Sequence, residues 1–509
     1  MTTTAQIDIE GFEAWMRDVP AGADVAAWQV EGCDLWPLLC SSVVSLGIQS
    51  WLGHRRHFVR VGGALWRSAI GASAIKRRLE SLLGGSRAGG FEALGDLGGA
   101  HLLFASAVNA SWVGPVYVCP PLDVAGLALR SEGQRTVTWF YDIPFGDDRL
   151  AASLNGPAVA GGALLERIAR HSGHFNSRDA LSRAPGFDGW LAEAARRLGF
   201  TPRFLLRWIA RQADMMLAAR DVFGQMFDRQ GCPQSVLLAA SGFAVTGGLA
   251  AASRARRIPV IEIQHGIERT SALTHAGSRV AFSGFNTAPD GFLSWSTVPS
   301  ANERVLSIGP TAVHLPSLVA GAAAALEGMV ERLNATMLEQ RSLLAQKIAQ
   351  PNCVELLISL QEEDSLAWVG ALAAQMPRDT FFWIRRHPSM RHRPPPALPG
   401  LDGSRYDTAL ASDAALQMLL ERAAVHVTEY SGVTIEAAAN GVPTVATNRY
   451  AQSHFAPLIP PDLFAFAEDA PTAARKVEAF LAQRGRSSRG VAGPDLSGIA
   501  AFVERVRAR

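Results

Sequence analysis

Cysteine is scarce in this chain of 509 residues, with only Cys33, Cys40, Cys119, Cys232 and Cys353. An odd, scattered set without CxxC or Cys/His spacing excludes a disulfide scaffold, carries no zinc signature and suits a reducing compartment. Net charge is nearly absent as well, since 48 Lys and Arg face 46 Asp and Glu. Binding nucleic acid through an overall basic field is thereby excluded, and no nucleic-acid partner is expected. There is no Walker A string, no GxGxxG, no GxSxG and no Asp-x-Asp. Their absence removes the signatures of P-loop, dinucleotide, serine-hydrolase and metal-bound sites, so no metal is expected. The opening MTTTAQIDIEGFE lacks the basic and apolar regions of a secretory signal, which makes a cytoplasmic location the expectation.

What is present is a hydrophobic fraction of 48% with 47 Gly and 28 Pro spread along the chain, the composition of a folded protein of two or three domains. Residues 34–53 are mostly apolar but contain Pro37, Gln49 and several serines, and they read as a buried helix rather than a membrane span. From Leu35 to Leu79 no acidic residue occurs, while Arg55, Arg56, Arg60, Arg67, Lys76, Arg77 and Arg78 alternate with Trp51, Phe58, Leu65, Trp66 and Ile70. A solvated helix face beside a core stripe explains this pattern, and so does a peripheral contact of residues 51–78 with an anionic inner-membrane surface.

From about residue 100 the pattern turns α/β. Strand-sized apolar runs at 102–105, 116–118 and 137–141 precede a long amphipathic helix at 202–230, which stops at Gly231 and Pro233. The run 235–240, a small-residue helix reaching 257 and the strand 259–264 make one βαβ unit, with a further strand at 292–295. The alternation resumes at 354–360, 365–375, 380–385, 414–422, 425–428 and 444–446. The spacing predicts an N-terminal helical region at 1–95, a first α/β domain at 96–316, a linker helix at 317–350, a second α/β domain at 351–485 and a tail helix at 486–509.

Three strand ends carry the chemistry. In VTEYSGVTIEAAANGVPTVAT, residues 427–447, Ser431, Gly432 and Thr434 fall at the start of a helix, where free N–H groups favour an anion, and Glu436 lies in the first turn, placed to bind hydroxyls. An ordinary capped helix start would look the same. In FWIRRHPS, residues 382–389, a strand delivers Arg385, Arg386 and His387 to its C-terminal edge and Pro388 ends it. Guanidinium and imidazole groups there suit a phosphate or diphosphate. In VIEIQHGIERTSALTHAG, residues 260–277, Glu262 lies within a strand, Gln264, His265 and Gly266 at its end, and His275 in the loop beyond. His265, oriented by Glu262, is a candidate general base; Asp142, just after the strand in WFYDIPFGDD, is the carboxylate alternative. Gln264, Gly266 and His275 are candidates for lining the cleft.

The order QHG, RRHP and EYSGVTIEAAANGVPTVAT resembles bacterial GT-B glycosyltransferases that build capsules and lipopolysaccharides, over about residues 100–470. The His-Pro pair followed by a Ser/Thr helix start is similar to transferases using CMP-activated sugars, such as Kdo and nonulosonic acids, and CDP-activated polyols. The resemblance implies an α/β GT-B fold with two Rossmann-like domains facing across a cleft. It further implies a nucleotide sugar, CMP-linked, as co-substrate without another cofactor, and a lipid-linked or oligosaccharide acceptor. His387, Ser431 and Thr434 would bind the donor phosphate, with Arg386, Pro388 and Gly432 beside them and Glu436 on the ribose. The Asp/Glu-Asp/Glu-Gly motif of the sialyltransferases is missing, which leaves the base open between His265 and Asp142. UDP- or GDP-sugar transfer, CDP-polyol transfer, nucleotide-sugar epimerisation and a non-catalytic assembly scaffold are the alternatives.

Overall fold

A computed structural model describes residues 8–51, 94–106, 111–113, 116–141, 152–153, 158–160, 162–239, 241–264, 284–295, 302–308, 330–348, 353–361, 366–387, 398, 401–483 and 495–509. The N-terminal region holds α1 (Ile9–Gly22), a small hairpin of β1 (Gln29–Val30) and β2 (Cys33–Asp34), and α2 (Trp36–Trp51). The first domain then runs through β3 (Ala100–Ala105), β4 (Ser111–Val113), β5 (Val116–Val118), α3 (Pro120–Ser131), β6 (Arg135–Phe140), β7 (Ala152–Ser153) and β8 (Ala158–Ala160). Four helices follow, α4 (Gly162–His171), α5 (Ser177–Arg183), α6 (Phe187–Leu198) and α7 (Pro202–Gln230). The domain continues with β9 (Ser235–Leu238), α8 (Ala244–Arg254), β10 (Val260–Ile263), β11 (Gly291–Ser294) and β12 (Val305–Ser307). After α9 (Val330–Lys347) the second domain consists of β13 (Val354–Leu360), α10 (Leu366–Gln375), β14 (Thr380–Arg386), β15 (Tyr406–Asp407), α11 (Ala409–Asp413), α12 (Leu416–Leu420), β16 (Val425–Thr428), α13 (Val433–Ala439), β17 (Thr444–Ala446), α14 (Arg449–Phe455), β18 (Phe464–Phe466) and α15 (Ala470–Gln483). The helix α16 (Ile499–Arg507) ends the chain.

Among the described residues the first domain has a seven-stranded sheet in the order β8-β6-β3-β9-β10-β11-β12, and the second a six-stranded sheet in the order β15-β14-β13-β16-β17-β18. Every pair in both is parallel. Counted along the chain, both sheets begin 3-2-1-4-5-6, the doubly wound Rossmann order. The expected pair of Rossmann-like domains is therefore the observed architecture. The strand sequences show why: AHLLFA in β3 and TFFWIRR in β14 are buried at every position, as strands covered by helices on both faces must be. The run at 116–118 does form a strand, but in a separate sheet with β4 and β7.

The helix α7 is capped by Thr201, whose hydroxyl accepts a bond from the Phe204 N–H, carries Pro202 in its first turn and ends at Gly231 with φ +81°. Its bounds match the sequence expectation. Against it lies α8, where a Cβ added to Gly248 would come within 2.4 Å of the Met216 carbonyl oxygen and 2.5 Å of the Ala219 Cβ. The two backbones are in near contact.

The N-terminal helices pack on α5, α6 and α7 through Trp28, Trp36, Phe187 and Trp190. The Trp28 indole donates to the Pro185 carbonyl at 2.8 Å. The helix expected within 34–53 is α2, buried through Trp36, Leu38, Leu39, Val43, Val44 and Leu46. No helix of the described residues is long and apolar enough to cross a membrane. Residues 52–93, which hold nearly all of the basic stretch, lie outside the described residues. The tail helix α16 turns back onto the first domain, where Phe502 and Val506 close over Gly291 of β11.

Candidate functional site

In the 3-2-1-4-5-6 order, the connections leaving strands 1 and 4 diverge to opposite faces, and the crevice between them is where open α/β sheets bind ligands. In the second sheet these strands are β13 and β16, paired in register from Leu356 with Val425 to Ser359 with Thr428. Ser431 lies three residues past the end of β16, and His387 directly follows β14 on the other side of β13. Both motifs thus emerge at the same sheet edge, two strand spacings or about 10 Å apart. His387 is half-buried, as are Glu429, Tyr430, Gly432 and Glu436.

Hydroxyl groups hold this edge together. Thr428 Oγ1 donates to the Ser359 carbonyl at 2.8 Å and accepts the Ser431 N–H at 3.2 Å. Ser431 Oγ accepts the Val433 N–H at 3.3 Å, which starts α13. Below them His426 is fully buried, with Nδ1 3.0 Å from Thr444 Oγ1 and Nε2 3.0 Å from Ser359 Oγ, so one imidazole ties three neighbouring strands. Burial drops it to about 3, so it is neutral at physiological pH. Sequence reasoning passed over Thr428, Ser359 and His426; their only signal was polar residues at the ends of apolar strands.

The two arginines are buried and occupied. Arg385 donates from Nη1 to the carbonyls of Ala411 at 2.9 Å and Ala414 at 2.6 Å, which caps the C-terminal end of α11. Ser412 Oγ accepts the Arg386 N–H at 3.2 Å and lies 3.4 Å from Arg386 Nε. The expectation that both guanidinium groups reach into the cleft is corrected for Arg385, because helix carbonyls satisfy it. Thr434 is also corrected: its hydroxyl is completely buried with no hydrogen-bond partner, so it meets a phosphate only if α13 shifts. Glu436 retains a distinctive character. Desolvation lifts its carboxyl to about 7 against the pull of Arg385, so near neutrality it both donates and accepts hydrogen bonds.

The first sheet presents its own C-terminal edge to this one. Trp295, directly after β11, packs with Ile435 and Ala438 of α13 and Phe455 of α14. Gln264, directly after β10, sets this contact: its Oε1 accepts the Trp295 N–H at 2.6 Å and its own N–H donates to the Leu293 carbonyl at 3.0 Å. Gln264 is buried, and it fixes an inter-domain contact instead of lining an open cleft. Glu262 is buried inside the sheet between β9 and β11, two residues short of the edge where a base would work. Asp142, His265, Gly266, His275 and Pro388 lie outside the described residues. Among the described residues no group of three His, Cys, Asp or Glu is arranged to hold a metal ion.

No family model and no curated protein matches the sequence. Solved structures show a distant likeness. The UDP-GlcNAc 2-epimerase from Methanocaldococcus jannaschii matches with a TM-score of 0.45 at 9% identity, covering 81% of this chain and 100% of that one. The UDP-GlcNAc 2-epimerase from Neisseria meningitidis, solved with UDP-GlcNAc, matches at 0.41 and 11% identity over 80% of this chain and 98% of that one. The wall teichoic acid polymerase TagF, in its H548A form, matches at 0.37 and 10% identity over 86% of this chain and 98% of that one.

Proposed function

We propose that the chain is a GT-B glycosyltransferase that moves a sugar from a nucleotide donor to a growing bacterial surface glycan, with Kdo or another CMP-activated ulosonic acid as the sugar. The observation that carries this reading is the meeting of His387 and the Ser431 loop on either side of β13, at the switch point of a sheet whose edge faces a second Rossmann-like domain. The His387 imidazole, the Arg386 guanidinium and the Gly432 N–H at the start of α13 would stabilise the negative charge that develops on a departing nucleotide phosphate. Glu436, near neutral, would accept and donate toward the ribose hydroxyls. The base would come from the first domain, from His265 or Asp142, and remove the proton of the acceptor hydroxyl. A lipid-linked or oligosaccharide acceptor would reach that edge, its lipid meeting residues 51–78 at the inner membrane.

Thermal-shift measurements with CMP, CDP, UDP and GDP test the donor. Ligand at about 100 times its Kd should stabilise the fold by about 2.7 kcal/mol. CMP is expected to give the largest shift and His387→Ala to abolish it. A clear preference for UDP or GDP would overturn the donor assignment, and an unchanged CMP shift in His387→Ala would overturn the site. Incubation with donor alone separates the chemistries: an epimerised nucleotide sugar without acceptor would replace transfer by epimerisation.

A further inference from the structure

Away from the donor edge, one buried pair of ionisable groups joins the N-terminal region to the second domain. Glu13, in the second turn of α1, meets His454 of α14, with Oε2 3.8 Å from the imidazole Nε2 and both side chains almost completely buried. The helix α1 itself is seated on the first domain, where Trp15 stacks with Trp190 of α6. The other imidazole nitrogen fixes the ring. Nδ1 lies 2.7 Å from the Tyr450 carbonyl, and a carbonyl only accepts, so Nδ1 carries the hydrogen. Ser453 Oγ donates to the same carbonyl at 3.0 Å. A neutral His454 therefore turns a bare Nε2 lone pair toward Glu13. Among the described residues the Glu13 carboxyl has no hydrogen-bond partner, and its Oε1 is buried.

An ionised carboxylate facing a lone pair inside an apolar cluster is costly, whereas one added proton, on Nε2 or on the carboxyl, turns the contact into an attraction. The surrounding charges do not replace that proton. Arg17, one turn along α1, is exposed. Arg197 lies over the Trp15 ring and pairs with Glu193, and Arg449 of α14 pairs with Glu468. Cys40 of α2, in the same cluster, stays a neutral thiol because burial pushes it well up. Tyr450 packs its ring on His454, with centroids 3.9 Å apart, and meets Tyr430 edge-on at 6.3 Å. Tyr430 directly precedes Ser431. We propose that Glu13 and His454 form a proton-dependent clasp that holds α1 against the second domain and, through Tyr450 and Tyr430, steadies the Ser431 turn. The clasp is closed with the proton bound and loosens as pH rises, because the closed form binds the proton more tightly than the open one. Its effect on ligand binding rests on the reading of that turn as the donor site, whereas the clasp itself does not.

Amide hydrogen exchange of the full-length protein, followed by mass spectrometry in peptides from α1 and α14, tests the clasp between about pH 6 and about pH 9. Each measurement is paired with Glu13→Gln at the same pH, so that the intrinsic pH dependence of exchange cancels. The carboxamide of that variant offers Nε2 a permanent N–H and keeps the clasp closed. Equal protection is expected at the acid end, and exchange at least about threefold faster in the parent at the alkaline end. Glu13→Leu, which removes the anion, should likewise show no alkaline loss of protection. Titration of CMP by calorimetry forms the second arm: from the acid to the alkaline end, affinity should fall at least about threefold further in the parent than in Glu13→Gln. Parallel exchange of parent and variant at every pH overturns the clasp, and parallel CMP affinities overturn its link to the turn. Absence of CMP binding at every pH counts against the donor reading and leaves the exchange result standing.

Discussion

At the scale of single residues, two titratable groups, one buried and one half-buried, pull stability in opposite directions with pH. Glu436 has a folded value of about 7 against an ordinary 4.5, so between those limits the native state holds more protons than the unfolded chain and stability falls as pH rises. The full shift would amount to at most about 3 kcal/mol, and water reaching the half-buried carboxyl makes it smaller. His426 has a folded value of about 3 against 6.5, so stability falls as pH drops through that window. The two effects oppose each other between 4.5 and 6.5. Glu436→Gln removes one of them, and its denaturation midpoint is expected to climb with pH up to about 6.5 where the parent is nearly flat. A parallel pair of curves from urea titrations would contradict the assignment. Arg385→Leu should push Glu436 higher still, because the cation that holds it down is gone, and should fray α11, whose terminal carbonyls lose their donor.

At the scale of elements, the contact between α7 and α8 depends on the absence of a side chain at Gly248. The atoms that a methyl group would strike include the Met216 carbonyl and the Arg220 nitrogen, both backbone, so neither helix can yield locally. Gly248→Ala is expected to cost roughly 2 kcal/mol or more despite the better helix propensity of alanine, which thermal or chemical denaturation would register. Much of this level was readable in advance. The length of α7 followed from its helical apolar period and its stop from Gly231 and Pro233, and β13 and β14 followed from unbroken apolar runs. The strand β15 was not legible, since two residues contain no period to detect. Nor did composition reveal that Arg385 turns into the sheet layer, because nothing in FWIRRHPS separates a strut from a ligand.

At the scale of the whole molecule, the last helix returns to the first domain and packs there against β11. The α16 residues Ile499, Phe502 and Val503 are fully buried, and α16 meets the first domain after the chain has completed the second. One apolar cluster includes Phe140 and Leu293 of the first sheet, Leu344 of α9 and Leu357 and Trp383 of the second. Phe502→Ala is therefore expected to cost about 3 kcal/mol or more and to shift a single unfolding transition. Two separated transitions, with only the later residues affected, would show that the domains melt independently.

The amino-acid sequence by itself determined the α/β class, the two-domain division, most strand and helix bounds and the three motifs, because each is a local matter of periodicity, capping and turn chemistry. The tertiary structure alone decided the strand order, and with it that His387 and the Ser431 turn flank β13. It also decided that Arg385 and Thr434 are buried and that Gln264 supports Trp295 at the junction of the sheets. These depend on which residues distant in the chain become neighbours, and that is settled by packing free energy summed over the whole fold, which no short stretch of sequence contains.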